Sequence, residues 1–331
     1  MSYKSAIKKL YNAFLIKTKW SKLPNGIYVF NYHRIGDSSH TAYDPNIFSC
    51  TENEFKEHIS FYKNEFQVIS TDDLVDMFEE GQSVDKKYAV LTFDDGYIDN
   101  YEVAYPVLKK FNLPATFFLT TDYLDNPQIP WWDEVAWLLK KSKINRININ
   151  NKVITIDKNN IEISIRSVLK EIKSEKQIPM AEKIGDIRKQ CQMELTEDAR
   201  TKNLFINWEQ VKEMSDGGMF IGSHGVSHNI LSHLDEKSQL SEISNSKSRL
   251  ENMLGKTIET IAYPVGGPTA YYDITKKIVS DAGFKIGFSF VNGIVSELNE
   301  EIRFDFNRIG IDVESDIITL KAKIIRTALD S

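Results

Sequence analysis

The stretch Leu91-Thr92-Phe93-Asp94-Asp95-Gly96-Tyr97 decides how this chain is read. An apolar, β-prone run from Tyr88 to Phe93 stops abruptly at two adjacent carboxylates and a glycine. A strand that ends this way delivers two acids to its C-terminal tip. Like charges so close do not both ionise cheaply unless a cation neutralises one of them. Gly96 lets the backbone turn sharply behind them. Taken alone, the residues fit equally a strand followed by an ordinary Asp-Gly turn.

On either side, strand-like and helix-like segments alternate. Gly26 to His33 reads as a buried strand ending in His33-Arg34, and residues 37–50 read as a polar loop. Thr51 with Glu54 is a capping box for a helix running to about residue 64. A short strand follows at Phe66–Ser70, then a helix capped at Thr71-Asp72-Asp73, then the double-aspartate strand. A helix over about 99–111 leads to the strand Pro114–Leu119. The alternation resumes at Asn207, with strands expected at 219–222, 258–263, 284–290 and 306–311 and a closing helix over about 315–328. This is the pattern of parallel βα units.

Residues 125–206 break the pattern. They contain Pro130-Trp131-Trp132-Asp133-Glu134, a helix to about Lys141, a hairpin turning at Asn150-Asn151, and two polar amphipathic helices. We read them as an insertion at the strand-tip face, where barrel folds carry functional loops. Trp131 and Trp132 either stack on a sugar or anchor the insertion.

Composition narrows the class. The 331 residues are 41% hydrophobic and 27% charged with net charge −6, which suits a globular protein and argues against general nucleic-acid binding. Cys50 and Cys191 are far apart, so neither a disulfide framework nor a cysteine zinc site is expected. No apolar run is long enough for a transmembrane helix, and no signal peptide is evident. A cytoplasmic location is therefore expected. The first 24 residues carry six lysines and no acid, with Ile7, Leu10, Tyr11 and Phe14 at helical spacing. Two readings stay open: a basic amphipathic helix in peripheral contact with the inner membrane face, or a surface helix packed on the barrel.

The chain has six histidines, two of them in His224-Gly225-Val226-Ser227-His228 just after an expected strand. Two imidazoles and one carboxylate form a set that leaves positions open for water on zinc or a similar divalent ion.

Three segments together resemble a known family. Thr92-Phe93-Asp94-Asp95-Gly96 and Ser223-His224-Gly225-Val226-Ser227-His228 look like the first two motifs of the polysaccharide deacetylases, carbohydrate esterase family 4, and Ala262-Tyr263-Pro264-Val265-Gly266 looks like the third. The motif style is nearest to the branch acting on poly-N-acetylglucosamine. The resemblance implies an α/β fold, a distorted (β/α) barrel of about seven parallel strands, over residues 25–331. It also implies removal of N-acetyl groups from an amino-sugar glycan or its precursor by metal-activated water.

Carried over, Asp95, His224 and His228 hold the metal, most simply Zn2+, and Asp94 is the general base. The Val265 N–H faces the oxyanion, and Tyr263 and Pro264 line the substrate site, to which Trp131 and Trp132 of the insertion are added as candidates if they stack on the sugar. Two positions depart from the family pattern. The motif arginine is replaced by Ala262, so Arg308 is expected to supply its charge. There is no histidine after His233, so His33, in Asn31-Tyr32-His33-Arg34, is the candidate proton donor. His40, His58 and His233 are expected at the surface or in loops. The alternative function is a non-catalytic carbohydrate-binding protein on the same fold. A glycosidase needs carboxylates on both sides of the scissile bond, which adjacent Asp94 and Asp95 do not provide.

Overall fold

A computed structural model describes residues 3–196, 204–313 and 316–329. The chain divides into two compact units: residues 1–36, 48–125 and 205–331 form the first, and residues 37–47 and 126–204 form the second.

The first unit is built on eight parallel strands: β1 (Gly26–Tyr32), β2 (Gln67–Ile69), β3 (Lys87–Asp95), β4 (Thr116–Leu119), β5 (Phe220–Ser223), β6 (Thr260–Ala262), β7 (Ile286–Phe288) and β8 (Ile309–Gly310). The sheet runs β7-β6-β5-β4-β3-β1-β8. β2 and β4 share one edge of β3: Gln67–Ile69 pair with Tyr88–Val90, and Thr116–Leu119 with Thr92–Asp95. The two ends of the sheet meet through one segment. Phe306 bridges to Phe288 of β7, and Ile309 and Gly310 pair with Phe30 and Asn31 of β1. The result is the expected distorted (β/α) barrel, closed by residues 306–310, with Val295 also bridging to Ile27 of β1.

Strand alternation explains what each face does. Ile27 and Val29 of β1 and Val90 of β3 join Phe118, Ala262, Ile286, Phe288 and Phe306 in one core cluster. Further along that face come the polar Asn31, Thr92 and Asp94. Between them in register, Tyr28, Phe30 and Tyr32 point the other way. Phe30 stacks on Tyr62 of helix Glu52–Glu65, and Tyr32, Phe93 and Phe117 stack in series at 5.2 and 4.7 Å. Both faces are buried, so the strands read as continuous apolar runs. Each such large side chain contributes about 1.5–3 kcal/mol by leaving water.

Three local expectations need correction. The N-cap of helix Thr71–Glu79 is Ser70, whose capping box is closed by Asp73. The segment expected as a helix over about 99–111 is helical throughout, but its stretch Asn100–Ala104 is a π-helix that leads into Tyr105–Phe111. His58 is not at the surface: with Phe55, Ile59 and Tyr62 it lies on the buried face of helix Glu52–Glu65, its Nδ1 3.0 Å from the Tyr32 hydroxyl.

The second unit holds the helices Trp131–Lys141, Ile161–Ser174 and Met180–Cys191 and the hairpin Arg146–Ile149/Lys152–Thr155. Asn150 and Asn151 make its turn with φ of 51° and 63°, the left-handed pair that asparagine tolerates. Residues 37–47, expected to be a plain loop, belong to this unit. Lys140 Nζ donates to the Thr41 carbonyl at 2.9 Å, and Asp133 accepts from the Asp44 N–H at 2.9 Å. Both cysteines are buried and free. Among the described residues, no helix is long and apolar enough to cross a membrane.

Candidate active site

The site is assembled at the C-terminal tips of β1, β3, β5 and β6 and on the closing segment. β3 ends with Asp95 in a left-handed conformation, φ 75°, followed by Gly96 at φ 80°. A Cβ on Gly96 would stand 2.9 Å from Leu119 Cδ2, so the turn excludes larger residues sterically as well as conformationally. An extended strand would send Asp95 to the face opposite Asp94; the left-handed turn instead swings it toward the histidines.

Asp95 turns toward His224 and His228. Its Oδ1 lies 3.5 Å from His224 Nε2 and 3.3 Å from His228 Nε2, and it has no hydrogen-bond partner among the described residues. All three residues are buried. The His224 Nδ1–H donates to the Ala262 carbonyl at 2.8 Å, which leaves the Nε2 lone pair aimed at Asp95. Three ligand atoms thus converge within 4.8 Å of one another. Ligands about 2.0–2.1 Å from a tetrahedral ion stand about 3.3 Å apart, so the spacing fits a small divalent metal. Burial pushes the Asp95 carboxyl up and the His224 imidazole down, and a cation between them would favour the ionised carboxylate and the neutral ring.

The histidine loop is held from two sides. The Glu242 carboxylate, on helix Glu236–Leu254, accepts from the N–H groups of Val226 and Ser227 at 2.9 and 3.0 Å and from the Ser227 hydroxyl at 2.5 Å. The N–H groups of Thr121 and Asp122 donate to the carbonyls of Gly225 and Val226 at 3.2 and 2.8 Å. Gly225 has φ 79°, and a Cβ there would stand 3.3 Å from Glu242 Oε2 and 3.7 Å from Pro264 Cγ. The third-motif turn therefore packs directly on the loop that carries His224 and His228.

Asp94 faces a different set. Arg308 grips it with two parallel bonds, Nη1 to Oδ1 and Nη2 to Oδ2, both 2.8 Å. Asn31 Nδ2 donates to Oδ2 at 3.1 Å. Arg308 is itself fixed by Nε donating to the Ser289 carbonyl at 2.6 Å and Nη1 to Asn31 Oδ1 at 3.1 Å. Burial would raise the Asp94 carboxyl, but the Arg308 guanidinium, together with His224 and His33, outweighs it and holds the group well below the usual carboxylate range. The guanidinium reaches Asp94 because residues 306–310 lie beside β1, in register with Phe30 and Asn31.

His33 Nε2 stands 4.0 Å from Asp94 Oδ2. Its backbone is pinned: the N–H donates to Ser49 Oγ at 3.0 Å and the carbonyl accepts from Asn100 Nδ2 at 2.7 Å. Next to it, Asp99 accepts from Arg34 Nε and the Ile35 N–H, both at 2.9 Å. The π-helix is thus part of the site's frame, a common use of that element. Burial lowers the His33 imidazole pKa, and Asp95 and Asp94 offset part of that effect. Phe290, half exposed, meets the His33 ring edge-on at 5.8 Å.

Val265 occupies the third-motif turn at φ 64°, and among the described residues no acceptor takes its N–H. Three of the residues expected at the substrate have buried side chains. Tyr263 is fully buried, stacked on Tyr271 at 4.1 Å and donating to the Phe304 carbonyl at 2.9 Å, so its side chain belongs to the core. Pro264 is buried as well. Trp132 is 4% exposed in helix Trp131–Lys141 and offers no open ring face. Trp131 meets it edge-on at 5.3 Å and lies under Lys173, both within the second unit. Sequence reasoning missed Asn31, Asp99, Asn100, Glu242 and Phe290. Asp99 and Asn100 had a signal, since they continue directly from the first motif, whereas Asn31, Glu242 and Phe290 had none.

The family model described as Polysaccharide deacetylase matches residues 81–287. The Bacillus subtilis (strain 168) protein YxkH, which carries the family's name, is 25% identical over 86% of this chain and 70% of its own length. The poly-beta-1,6-N-acetyl-D-glucosamine N-deacetylase of Escherichia coli (strain K12) is 28% identical over 34% of this chain and 17% of its own length. Among solved structures, the Streptococcus pyogenes deacetylase PplD in complex with acetate superposes with a TM-score of 0.61 at 22% identity, covering 92% of this chain and 99% of that one. IcaB from Ammonifex degensii gives a TM-score of 0.56 at 17% identity, with 92% and 98% covered. These two establish the likeness of fold. With the matched family model spanning all three motifs and more than half of its length, the chain belongs to the polysaccharide deacetylase family.

Proposed function

We propose that this protein is a zinc-dependent hydrolase that removes N-acetyl groups from an amino-sugar glycan or glycan precursor. The observation that carries the reading is the division of the double aspartate. Asp95 turns to two imidazoles at ligand spacing, while Asp94 is held by Arg308 on the other side of the turn. The relatives named for poly-beta-1,6-N-acetyl-D-glucosamine support the substrate class.

Asp95, His224 and His228 are the residues that would hold the ion. A divalent ion bound there supplies Lewis acidity to the acetyl carbonyl and lowers the pKa of water. Every other task falls to the chain. Asp94, kept ionised and oriented by Arg308 and Asn31, takes the proton of the attacking water at a carboxylate oxygen. The Val265 N–H donates to the oxyanion that develops on the acetyl oxygen. His33, across from Asp94, donates a proton to the amine nitrogen as the C–N bond breaks. The products are acetate and a free amino sugar. The open face of Phe290 beside His33 suits the apolar face of a pyranose ring.

The test is acetate release from a panel of N-acetylated glycans, both polymers and nucleotide- or lipid-linked precursors, by chelated and zinc-restored protein. Zinc-restored protein is expected to release acetate, chelated protein none, and Asp94→Asn protein very little with its zinc still bound. No acetate from any member of the panel, or full activity in the Asp94→Asn variant, would overturn the reading.

A further inference from the structure

The helix Tyr3–Lys19 is held on the first unit by Lys9 and Asn12, with Leu15 and Ile16 partly buried on the same side. Lys9 Nζ pairs with Asp316 at 2.9 Å, and Asn12, only 1% exposed, accepts from Arg326 Nη1 at 3.2 Å beside helix Ile317–Leu329. Facing away are Ile7, Leu10, Tyr11 and Phe14, which remain 50, 72, 58 and 64% exposed. Their i, i+3, i+4, i+7 spacing makes one continuous apolar stripe. A surface helix normally turns that stripe to the core and its polar residues to water. Here the Lys9 and Asn12 anchors leave this stripe turned to solvent.

The charge around the stripe states what it meets. Residues 1–36 contain six lysines and no aspartate or glutamate, in a chain whose net charge is −6. Lys8, Lys17, Lys19 and Lys22 are exposed. On a helical wheel, Lys8 and Lys17 flank the stripe on opposite sides. A second copy docked stripe to stripe would bring a second set of lysines against the first. An anionic lipid surface accepts both parts at once, the apolar side chains below the headgroups and the ammonium groups among the phosphates. No described helix is long and apolar enough to cross a membrane, so contact of this helix with a bilayer would be at its surface.

We propose that helix Tyr3–Lys19 docks the protein on an anionic phospholipid bilayer, with Ile7, Leu10, Tyr11 and Phe14 inserted and the flanking lysines on the headgroups. The test is co-sedimentation of the full-length protein with vesicles of phosphatidylcholine alone or mixed with phosphatidylserine. The protein is expected to sediment with the mixed vesicles, to be released by salt, and to ignore pure phosphatidylcholine. The K8Q/K17Q/K19Q variant is expected to lose about a hundred-fold in partitioning onto the mixed vesicles. The L10S/F14S variant is expected to lose at least about ten-fold. Melting temperature is expected to hold in both, because the altered side chains are exposed. Equal binding to both vesicle types, or wild-type binding by L10S/F14S, would overturn the proposal. So would a wild-type dimer that becomes a monomer in L10S/F14S while vesicle binding stays the same, since the stripe would then be a self-association surface.

Discussion

Replacing Arg308 by methionine removes the cation that holds Asp94 and leaves an aliphatic side chain of similar reach. Asp94 is then a buried carboxylate with Asn31 as its remaining hydrogen-bond donor and the His33 ring 4.0 Å away. Removing one partner of a buried ion pair costs about 3–5 kcal/mol, chiefly because the other charge stays desolvated and unpaired. For a unit of this size each kcal/mol moves the melting temperature by about 2–4 °C, so R308M should melt roughly 10 °C lower. The measurement belongs on chelated protein, where no metal charge compensates Asp94. Turnover should fall about a hundred-fold in zinc-loaded R308M, since Asp94 loses its orientation. The control is R308M/D94N. Neutralising the stranded carboxylate should restore most of the melting temperature while activity stays lost. If R308M melts and turns over like the wild type, Arg308 does not hold Asp94. If R308M/D94N melts as low as R308M, the cost comes from lost packing and lost bonds to Ser289, not from an unpaired charge.

Other outcomes follow from the same geometry. His224→Ala and His228→Ala protein should each purify with well under one equivalent of zinc by elemental analysis, whereas R308M should retain it. In His33→Gln, zinc content should be unchanged while turnover falls about 10²–10⁴-fold, the range for a lost proton donor; a fall of less than two-fold would exclude that role. Glu242→Ala releases the N–H groups of Val226 and Ser227, so zinc affinity measured by chelator competition should weaken about 10–100-fold. Activity of that variant at saturating zinc should recover most of its value, which separates loop positioning from a direct part in the reaction.

The double-aspartate strand, the His224–His228 loop, the alternation of strands and helices and most helix starts were legible because their causes are local, whereas the barrel itself was implied by the family resemblance. A capping box, a left-handed Asn-Asn turn, or a strand that stops at Asp-Asp-Gly is complete within a few residues. The family resemblance also let Asp94 and Asp95 be told apart, although extended backbone would place them on opposite faces and only the observed φ at Asp95 turns it to the histidines.

What the tertiary structure decided lies where distant segments meet. Arg308 is 214 residues from Asp94, and the bidentate grip depends on residues 306–310 closing the sheet in register with β1. Tyr263 and Trp132 sit in segments that look suited to binding, yet packing takes both rings out of reach. His58 reads as a surface histidine until helix Glu52–Glu65 turns that face to Tyr32. Residues 37–47 read as a loop, and their side in the division of the chain follows from Lys140 and Asp133, about a hundred residues on. The sequence of the first helix determined that it has an apolar stripe and a lysine set. It could not determine which side faces the protein, because that depends on Asp316 and Arg326 at the far end of the chain.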